Sequence, residues 1–597
     1  MSQKEVGSRL RTQDFRLKKM DDIQIKKSST VYDAVIVGSG AGGGMAGYVL
    51  AHAGLKVLML EAGPFFDPAK DSMQMKWPWE SARRGASTPQ RNFGDFDGAF
   101  GGWNLDGEPY TTKDKTEFYW FRSRMLGGRT NHWGRISLRM GPDDFRGHHI
   151  DGLTDDWPIT YDEVKPYYDR VDRLIGVYGT VENIESEPDG IFLPPPKPRL
   201  NELFIKKGAE KAGVRVLPGR GSVLTEALPG NKDRGACFFC GQCNRSCKIY
   251  GDFSSSSCLV IPAMKTGNLK VIANAMVREV LTDASGLATG VSYISKDDMQ
   301  EYQVFAKQVI LGASACESAR LLLNSKSSKH PAGMANSSGV VGKYLHDSTG
   351  SSAGGWLPQL IDRKRYNEDG TGSIHIYSPW LKDNRKLDFP RGYHIEYGGG
   401  LEMPGYGFGG GIQDMNALLP GRKPEDGGGF GASLKNDYRR LYGTGFGMAG
   451  RGMAIARADN YCEIDPSVVD KFGIPVLRFH YKWSDAEIKQ AKHMQDTFQE
   501  IMHNMGAVYG PPEGPETSYG LEAPGKIIHE VGTVRMGDDP KKSALNKWCQ
   551  AHDCKNLFVV DAGPFVQQGD KNATWTILAL SMRTAEYILD QRKKLNV

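Results

Sequence analysis

Residues 32–63, YDAVIVGSGAGGGMAGYVLAHAGLKVLMLEAG, set two apolar runs around a block of small residues. Tyr32 to Val37 is apolar and rich in β-branched residues, which predicts a buried strand. Lys56 to Leu60 repeats the pattern, and the Ala-rich stretch from about Ala41 to His52 predicts a helix between the two. A different period governs residues 484–506. There Ile488, Ala491, Phe498, Ile501 and Met505 give one apolar helix face, Ser484 and Glu487 form a capping box, and Gly506 ends the helix. The segment LKVIANAMVREVLTD reads as one strand, NLFVVDAG as a late strand, and Thr574 to about Leu589 as a last helix.

No apolar run approaches the ~20 residues of a membrane-spanning helix. The N-terminal segment is basic and has no apolar signal core, so a solvated tail is expected there. A chain of 597 residues exceeds one simple core, so two or more domains are expected. The net charge of +5 is small and its lysines and arginines are dispersed, which gives no footprint for nucleic acid.

The first apolar pair carries chemistry. Gly38, Gly40 and Gly43 have G-x-G-x-x-G spacing between strand and helix, and Glu61 closes the second strand. Glycines let backbone N–H groups approach a pyrophosphate at the helix N-terminus, and the acid accepts hydrogen bonds from a ribose. Dinucleotide binding follows, without a choice between FAD and NAD.

The C-terminal stretch GKIIHEVGTVRMGDDP, with His529, Gly532, Thr533, Arg535, Met536 and Gly537, resembles the glucose–methanol–choline (GMC) oxidoreductase family of FAD enzymes. So do Asp561-Ala562, the Asn572 to Thr576 segment that opens the last helix, and VILGASACESARLLLNS at 309–325. Ala573 and Ala319 stand where prolines are frequent in the family. The resemblance implies an α/β fold: a Rossmann-like FAD-binding domain interleaved with an α+β substrate domain, as in p-hydroxybenzoate hydroxylase. The implied order is a tail over 1–29, FAD-binding parts over 30–149, 259–345 and 525–597, substrate parts over 150–236 and 346–524, and a cysteine insert over 237–258. It also implies that His529 is the base for an alcohol proton and Asn572 its partner on the substrate oxygen. The implied FAD contacts are Gly127, Gly128, Asn131, His132 and Trp133 over the flavin ring, Val277 at the adenine, and Ala313, Asp561, Ala562 and Thr576. His132 occupies the place where some sugar oxidases of the family bond FAD covalently and others do not.

CFFCGQCNRSC at 237–247 spaces Cys237, Cys240, Cys243 and Cys247 as C-x2-C-x2-C-x3-C. Disulfides suit small secreted domains without a core, and zinc sites usually pair C-x2-C units across a longer loop. The run matches the bacterial ferredoxin pattern. An iron–sulfur cluster is expected, [3Fe–4S] on three thiolates or [4Fe–4S] if Cys247 or Cys258 joins. Bacterial GMC dehydrogenases acting on glucose and glucosides resemble the chain here too. They imply oxidation of a secondary hydroxyl, first the C3 position of a glucoside, with electrons passed to an external acceptor. A gluconate-type sugar-acid dehydrogenase or an oxygen-using pyranose oxidase is the alternative. The same resemblance implies a cytochrome c acceptor and a small subunit that carries the chain to the periplasm on a Tat signal, a cytoplasmic place being the alternative. The Gly-rich stretch 390–452 suits a sugar pocket or a loop under a sheet equally.

Overall fold

The computed structural model describes residues 25–88, 98–364, 370–380, 387–400, 423 and 431–594. The expected tail up to residue 24 and most of the Gly-rich stretch between 401 and 430 lie outside them. The N-terminal unit is built as the apolar pattern demands: strand β1 (Lys26–Val37), helix α1 (Ala41–His52) and strand β2 (Val57–Leu60). β1 starts at Lys26, ahead of the apolar run, because its polar leading residues pair with a distant strand, Lys26 opposite Tyr302.

Further along the chain come helices α2 (Tyr161–Ile175) and α3 (Leu200–Lys211) and the short strand β3 (Leu217–Pro218). Then follow β4 (Leu269–Ile272), β5 (Ala275–Thr282), β6 (Ala288–Ser295), β7 (Glu301–Leu311) and helix α4 (Ala315–Asn324). The segment 269–282, expected as one strand, is two. Its break falls at Asn274, where φ is +55°, a conformation asparagine tolerates.

One sheet has the order β5-β6-β7-β1-β2-β4, with β1, β2, β4 and β7 mutually parallel where paired. A seventh strand, Leu557–Val559, pairs in parallel with the C-terminal end of β7, beyond the point where β6 leaves it. Both faces of β1 are covered. Val35 and Val37 join the core that holds α4, whereas Ala34 and Ile36 join the core that holds α1. Full burial of a side chain the size of Val35 or Ile36 is worth roughly 1.5–3 kcal/mol, so a polar substitution at either face is costly.

A second, antiparallel sheet is formed by β8 (Thr349–Trp356), β9 (Ile376–Ser378), β10 (Tyr393–Gly399) and β11 (Gly445–Gly452), in the order β8-β11-β10-β9-β3. Helix α5 (Asp485–Met505) backs it. Its capping box, its Gly506 terminus in the left-handed region and the burial of Ala491, Phe498, Ile501 and Met505 follow the sequence pattern. Ile488 is only half-buried, and Met494 fills the centre instead. Glycine in β11 lets α5 approach: a Cβ on Gly450 would lie 2.5 Å from Met494 Sδ. Between α5 and β11 sits a hairpin, β12 (Tyr461–Val469) with β13 (Pro475–His480). The chain ends with β14 (Leu557–Val559) and α6 (Thr574–Lys593). α6 lies on α1, with Ser581 Oγ donating to Gly42 O at 2.6 Å.

Candidate active site

At the C-terminal ends of β1, β2 and β7 opens a cavity of about 410 Å³, in the range that takes a cofactor or substrate. The turn after β1 forms one wall. Gly38 has φ +90° and a Cβ there would lie 2.5 Å from Gly312 O, so no other residue fits. Gly40 differs: a Cβ would meet no atom within 4 Å, leaving a backbone cradle open to the cavity. Glu61 is buried, its carboxylate accepting from Ser39 N at 3.2 Å and Gly63 N at 2.9 Å. Burial raises its carboxyl, the Ser39 and Gly63 hydrogen bonds opposing.

Gly38, Gly40, Glu61, Gly128, His132, Trp133, Val277, Ala313, Asp561, Ala562, His529 and Asn572 all line this cavity. Gly43, Gly127, Asn131 and Thr576 do not. A Cβ on Gly43 would lie 2.0 Å from Gly38 O, so this glycine lets α1 pack against the turn. Gly127, at φ +88°, turns the chain and donates its N–H to Ser39 Oγ at 2.9 Å. Asn131 donates to Leu126 O, and its own carbonyl accepts from Ser246 Oγ at 2.7 Å, so it ties this segment to the cysteine loop. Thr576 meets Tyr168 OH at 2.6 Å and anchors α6 on α2.

The cavity fits a bound dinucleotide in two further ways. His132 Nε2 and Asn572 Oδ1 are buried without a hydrogen-bond partner among the described residues, which is costly unless a ligand satisfies them. The first turn of α6, with Ala573, Thr574 and Ile577, borders the space, so its N–H groups and dipole face whatever charge develops there. Burial, with Arg135 and Arg129 adding to it, pushes His132 down to about 3 and keeps the ring neutral.

His529 and Asn572 come from distant segments and meet, Nδ2 of Asn572 lying 3.5 Å from His529 Nε2. Two neighbours fix the histidine. Its main-chain N–H donates to Asp347 Oδ1 at 2.8 Å, and its Nδ1 faces Ser348 Oγ at 3.0 Å. Nδ1–H donation to Ser348 leaves Nε2 as an acceptor, the tautomer a base needs. Burial drives His529 down to about 3, with Arg451, His394 and Arg129 adding and Glu396 opposing. Ile528 beside it holds φ +66°, an uncommon state for a β-branched residue, and its carbonyl accepts from Arg129 Nη1 at 3.1 Å. Arg129 also pairs with Glu530 at 2.5 Å.

Asp347, Ser348, Glu530, Arg129 and Glu396 were not read from the sequence as site residues. Arg129 sits within the segment FRSRMLGGRTNHWGRISLR, a local signal that was available. Glu530 sits beside His529 in GKIIHEVGTVRMGDDP, a second local signal, whereas Asp347, Ser348 and Glu396 lie in no motif.

All nine cysteines among the described residues are free thiols. Each of the four in the loop accepts an N–H. Phe239 N lies 3.2 Å from Cys237 Sγ, Gln74 Nε2 3.1 Å from Cys240 Sγ and 3.8 Å from Cys247 Sγ, and Gly372 N 3.3 Å from Cys243 Sγ. An N–H at a sulfur suits a thiolate ligand, and such bonds tune iron–sulfur centres. Burial pushes Cys237 up to about 12 and Cys247 up to about 11, so metal binding there would release protons. Among the described residues, no three His, Cys, Asp or Glu side chains are gathered as ligands of a metal ion. Cys258 turns its thiol to Asp252 O at 3.6 Å.

Two family models, both described as GMC oxidoreductase, match this chain, one over residues 32–349 and the other over residues 456–581. A 2-methyl-1,2-propanediol dehydrogenase of Mycolicibacterium austroafricanum is 30% identical over 573 residues, covering 93% of this chain and 95% of that protein. The fructose dehydrogenase large subunit of Gluconobacter japonicus is 27% identical, covering 94% of this chain and 98% of its own. A solved structure of an Aspergillus oryzae RIB40 formate oxidase, in which FAD modification was studied, superposes with a TM-score of 0.63 at 15% identity. It covers 96% of this chain and 99% of that one, which shows a shared fold.

Proposed function

The chain belongs to the GMC oxidoreductase family, and from that premise we propose that it is a sugar dehydrogenase oxidising a secondary hydroxyl, first the C3 position of a glucoside. It is an FAD-dependent oxidoreductase of CH–OH donors. One observation carries the finer chemistry. His529 Nε2 and Asn572 Nδ2 lie 3.5 Å apart on the lining of the cavity that Gly40 leaves open.

A substrate hydroxyl within hydrogen-bond reach of both atoms accepts from the Asn572 N–H and turns its own hydrogen to the His529 Nε2 lone pair. His529 Nε2 takes the hydroxyl proton as the carbon loses hydride. FAD, when bound, supplies the hydride acceptor. Asp347 holds the His529 main chain and Ser348 its ring, and the first turn of α6, which follows Asn572, favours negative charge in the cavity that it borders.

For the exit of electrons, Cys237, Cys240, Cys243 and Cys247 would hold an iron–sulfur cluster, which passes electrons singly to an acceptor. The N–H donor at each of their sulfurs supports this reading, as does the bond from Ser246 to Asn131 that joins the loop to the segment expected over the flavin. The relatives at 27% and 30% identity act, by their names, on fructose and on a diol, so alcohol and sugar chemistry are both supported. A cytochrome c acceptor, and a small subunit that takes the chain to the periplasm, belong to the same proposal.

The test is anaerobic purification with iron analysis and EPR, followed by flavin reduction with methyl glucosides, fructose, gluconate and 2-methyl-1,2-propanediol. Reduction by a methyl glucoside with C3 ketone as product, and several irons per chain, are expected. Zinc without iron would end the relay reading. Reduction by gluconate and not by glucosides would move the assignment to a sugar acid.

A further inference from the structure

β10 places His394 and Glu396 two residues apart on one face, opposite the turn that precedes α6. Glu396 Oε1 accepts from two sides, from Asn572 Nδ2 at 3.2 Å and from His394 Nε2 at 3.1 Å. The other ring nitrogen of His394, Nδ1, meets the main-chain carbonyl of Asp570, with the Asp570 carboxylate at 3.9 Å. Carbonyl and carboxylate oxygens only accept, so both nitrogens must carry hydrogen. His394 is therefore an imidazolium, fully buried. From β11, Arg451 Nε approaches the second oxygen, Oε2, at 3.7 Å. Burial alone would raise Glu396, yet His394, Arg451 and the Asn572 N–H hold it at about 2.

This arrangement decides which way Asn572 faces. A carboxamide has a donor end and an acceptor end, and either flip fills the same volume. A carboxylate takes only donors, and the base form of His529 presents a lone pair at Nε2. Only the NH2 end satisfies both neighbours.

We propose that Glu396 is a positioning residue of the oxidation, fixing the Asn572 carboxamide so that it donates into the site, with His394 keeping the carboxylate charged. The proposal rests on the reading of His529 and Asn572 as the reacting pair. It adds a buried ion pair on β10, far from His529 and Asn572 in the chain, to the groups that set the reaction rate.

The experiment compares holoenzymes of the wild type, Glu396→Gln and Glu396→Asp by anaerobic stopped flow, with whichever compound of the panel above reduces the wild-type flavin fastest. Glutamine is isosteric but has both a donor and an acceptor, so it frees Asn572 to flip. Aspartate keeps the charge. In Glu396→Gln the limiting rate of flavin reduction is expected to fall about 10- to 100-fold, the factor for one charge-assisted hydrogen bond. The substrate Kd should stay within about threefold and the flavin spectrum should be intact. Aspartate should retain more of the rate than glutamine. A Glu396→Gln rate within threefold of wild type, or a loss confined to Kd, overturns the proposal. If Glu396→Gln does not retain FAD, Glu396→Asp decides alone: a rate at least threefold lower at unchanged Kd supports the role, and a wild-type rate overturns it. Failure of the underlying reading looks different, as a His529→Ala variant that still reduces its flavin at the wild-type rate.

Discussion

Lowering the pH from 8 to 5 separates two accounts of His529. If the histidine kept its ordinary value near 6.5, only about 3% would be neutral at pH 5, and a base-dependent rate would fall about 30-fold. Burial instead places it at about 3, so about 99% stays neutral and the rate holds. The sign is direct: the neutral form is the active one, and a depressed value extends it to lower pH. The cost is weak basicity, so proton removal should run together with hydride loss rather than ahead of it. The assay is kcat/KM between pH 4 and pH 8, with circular dichroism checking the fold at each point. One neighbour titrates inside this window. Burial, then repulsion from Glu530, raises Asp347 to about 7, and its carboxylate accepts from His529 N. The series is therefore repeated with Asp347→Asn. An acid limb near 6.5 present in both proteins would refute the argument, whereas a limb lost in Asp347→Asn belongs to the aspartate.

Gly40→Val should fold normally, since its Cβ meets nothing within 4 Å, yet lose its flavin absorbance at 450 nm. Gly42→Ala, whose Cβ would lie 2.0 Å from Val560 O, should instead cost about 1–3 kcal/mol in urea unfolding. Arg135→Met leaves Asp252 buried without its partner at 2.9 Å and should cost about 3–5 kcal/mol; adding Asp252→Leu should recover much of that. Cys243→Ser should leave flavin reduction by substrate intact while halting turnover with a one-electron acceptor, measured by steady-state dye reduction. Equal turnover in that variant would disconnect the cysteine loop from the reaction.

Legibility in the sequence tracked how local each constraint was. Gly38, Gly40 and Glu61 were readable because one turn and two strand ends dictate them within 24 residues. The capping box of α5 was readable for the same reason, since Ser484 and Glu487 share one helical turn. His529 and Asn572 were readable only through the family resemblance, as nothing in their spacing says that they meet. Glu396 and His394 were not readable at all. They alternate along an ordinary strand, and their meaning comes from α6, which arrives almost two hundred positions later. The Gly-rich stretch was ambiguous because close helix packing and a ligand pocket both select glycine, and at Gly450 it is packing. Asn131, expected at the flavin, serves as a tie to the cysteine loop, a role that depends on Ser246 and so could not be seen locally.

The strand order has a consequence for biosynthesis. The antiparallel sheet is complete once β11 has emerged, and α5 covers it by residue 505. The larger, mixed sheet waits for β14, which takes the free half of the β7 edge, and for α6, whose Ser581 reaches back to Gly42. A nascent chain on the ribosome therefore carries an open groove flanked by unpaired backbone, and contacts so distant in sequence form slowly. The cavity wall is complete only when Asn572 to Ile577 have joined it. Chains that stop short of Asn572 lack that residue and the first turn of α6 from the cavity wall and are expected to hold flavin more weakly, which absorbance at 450 nm of a truncated variant would check.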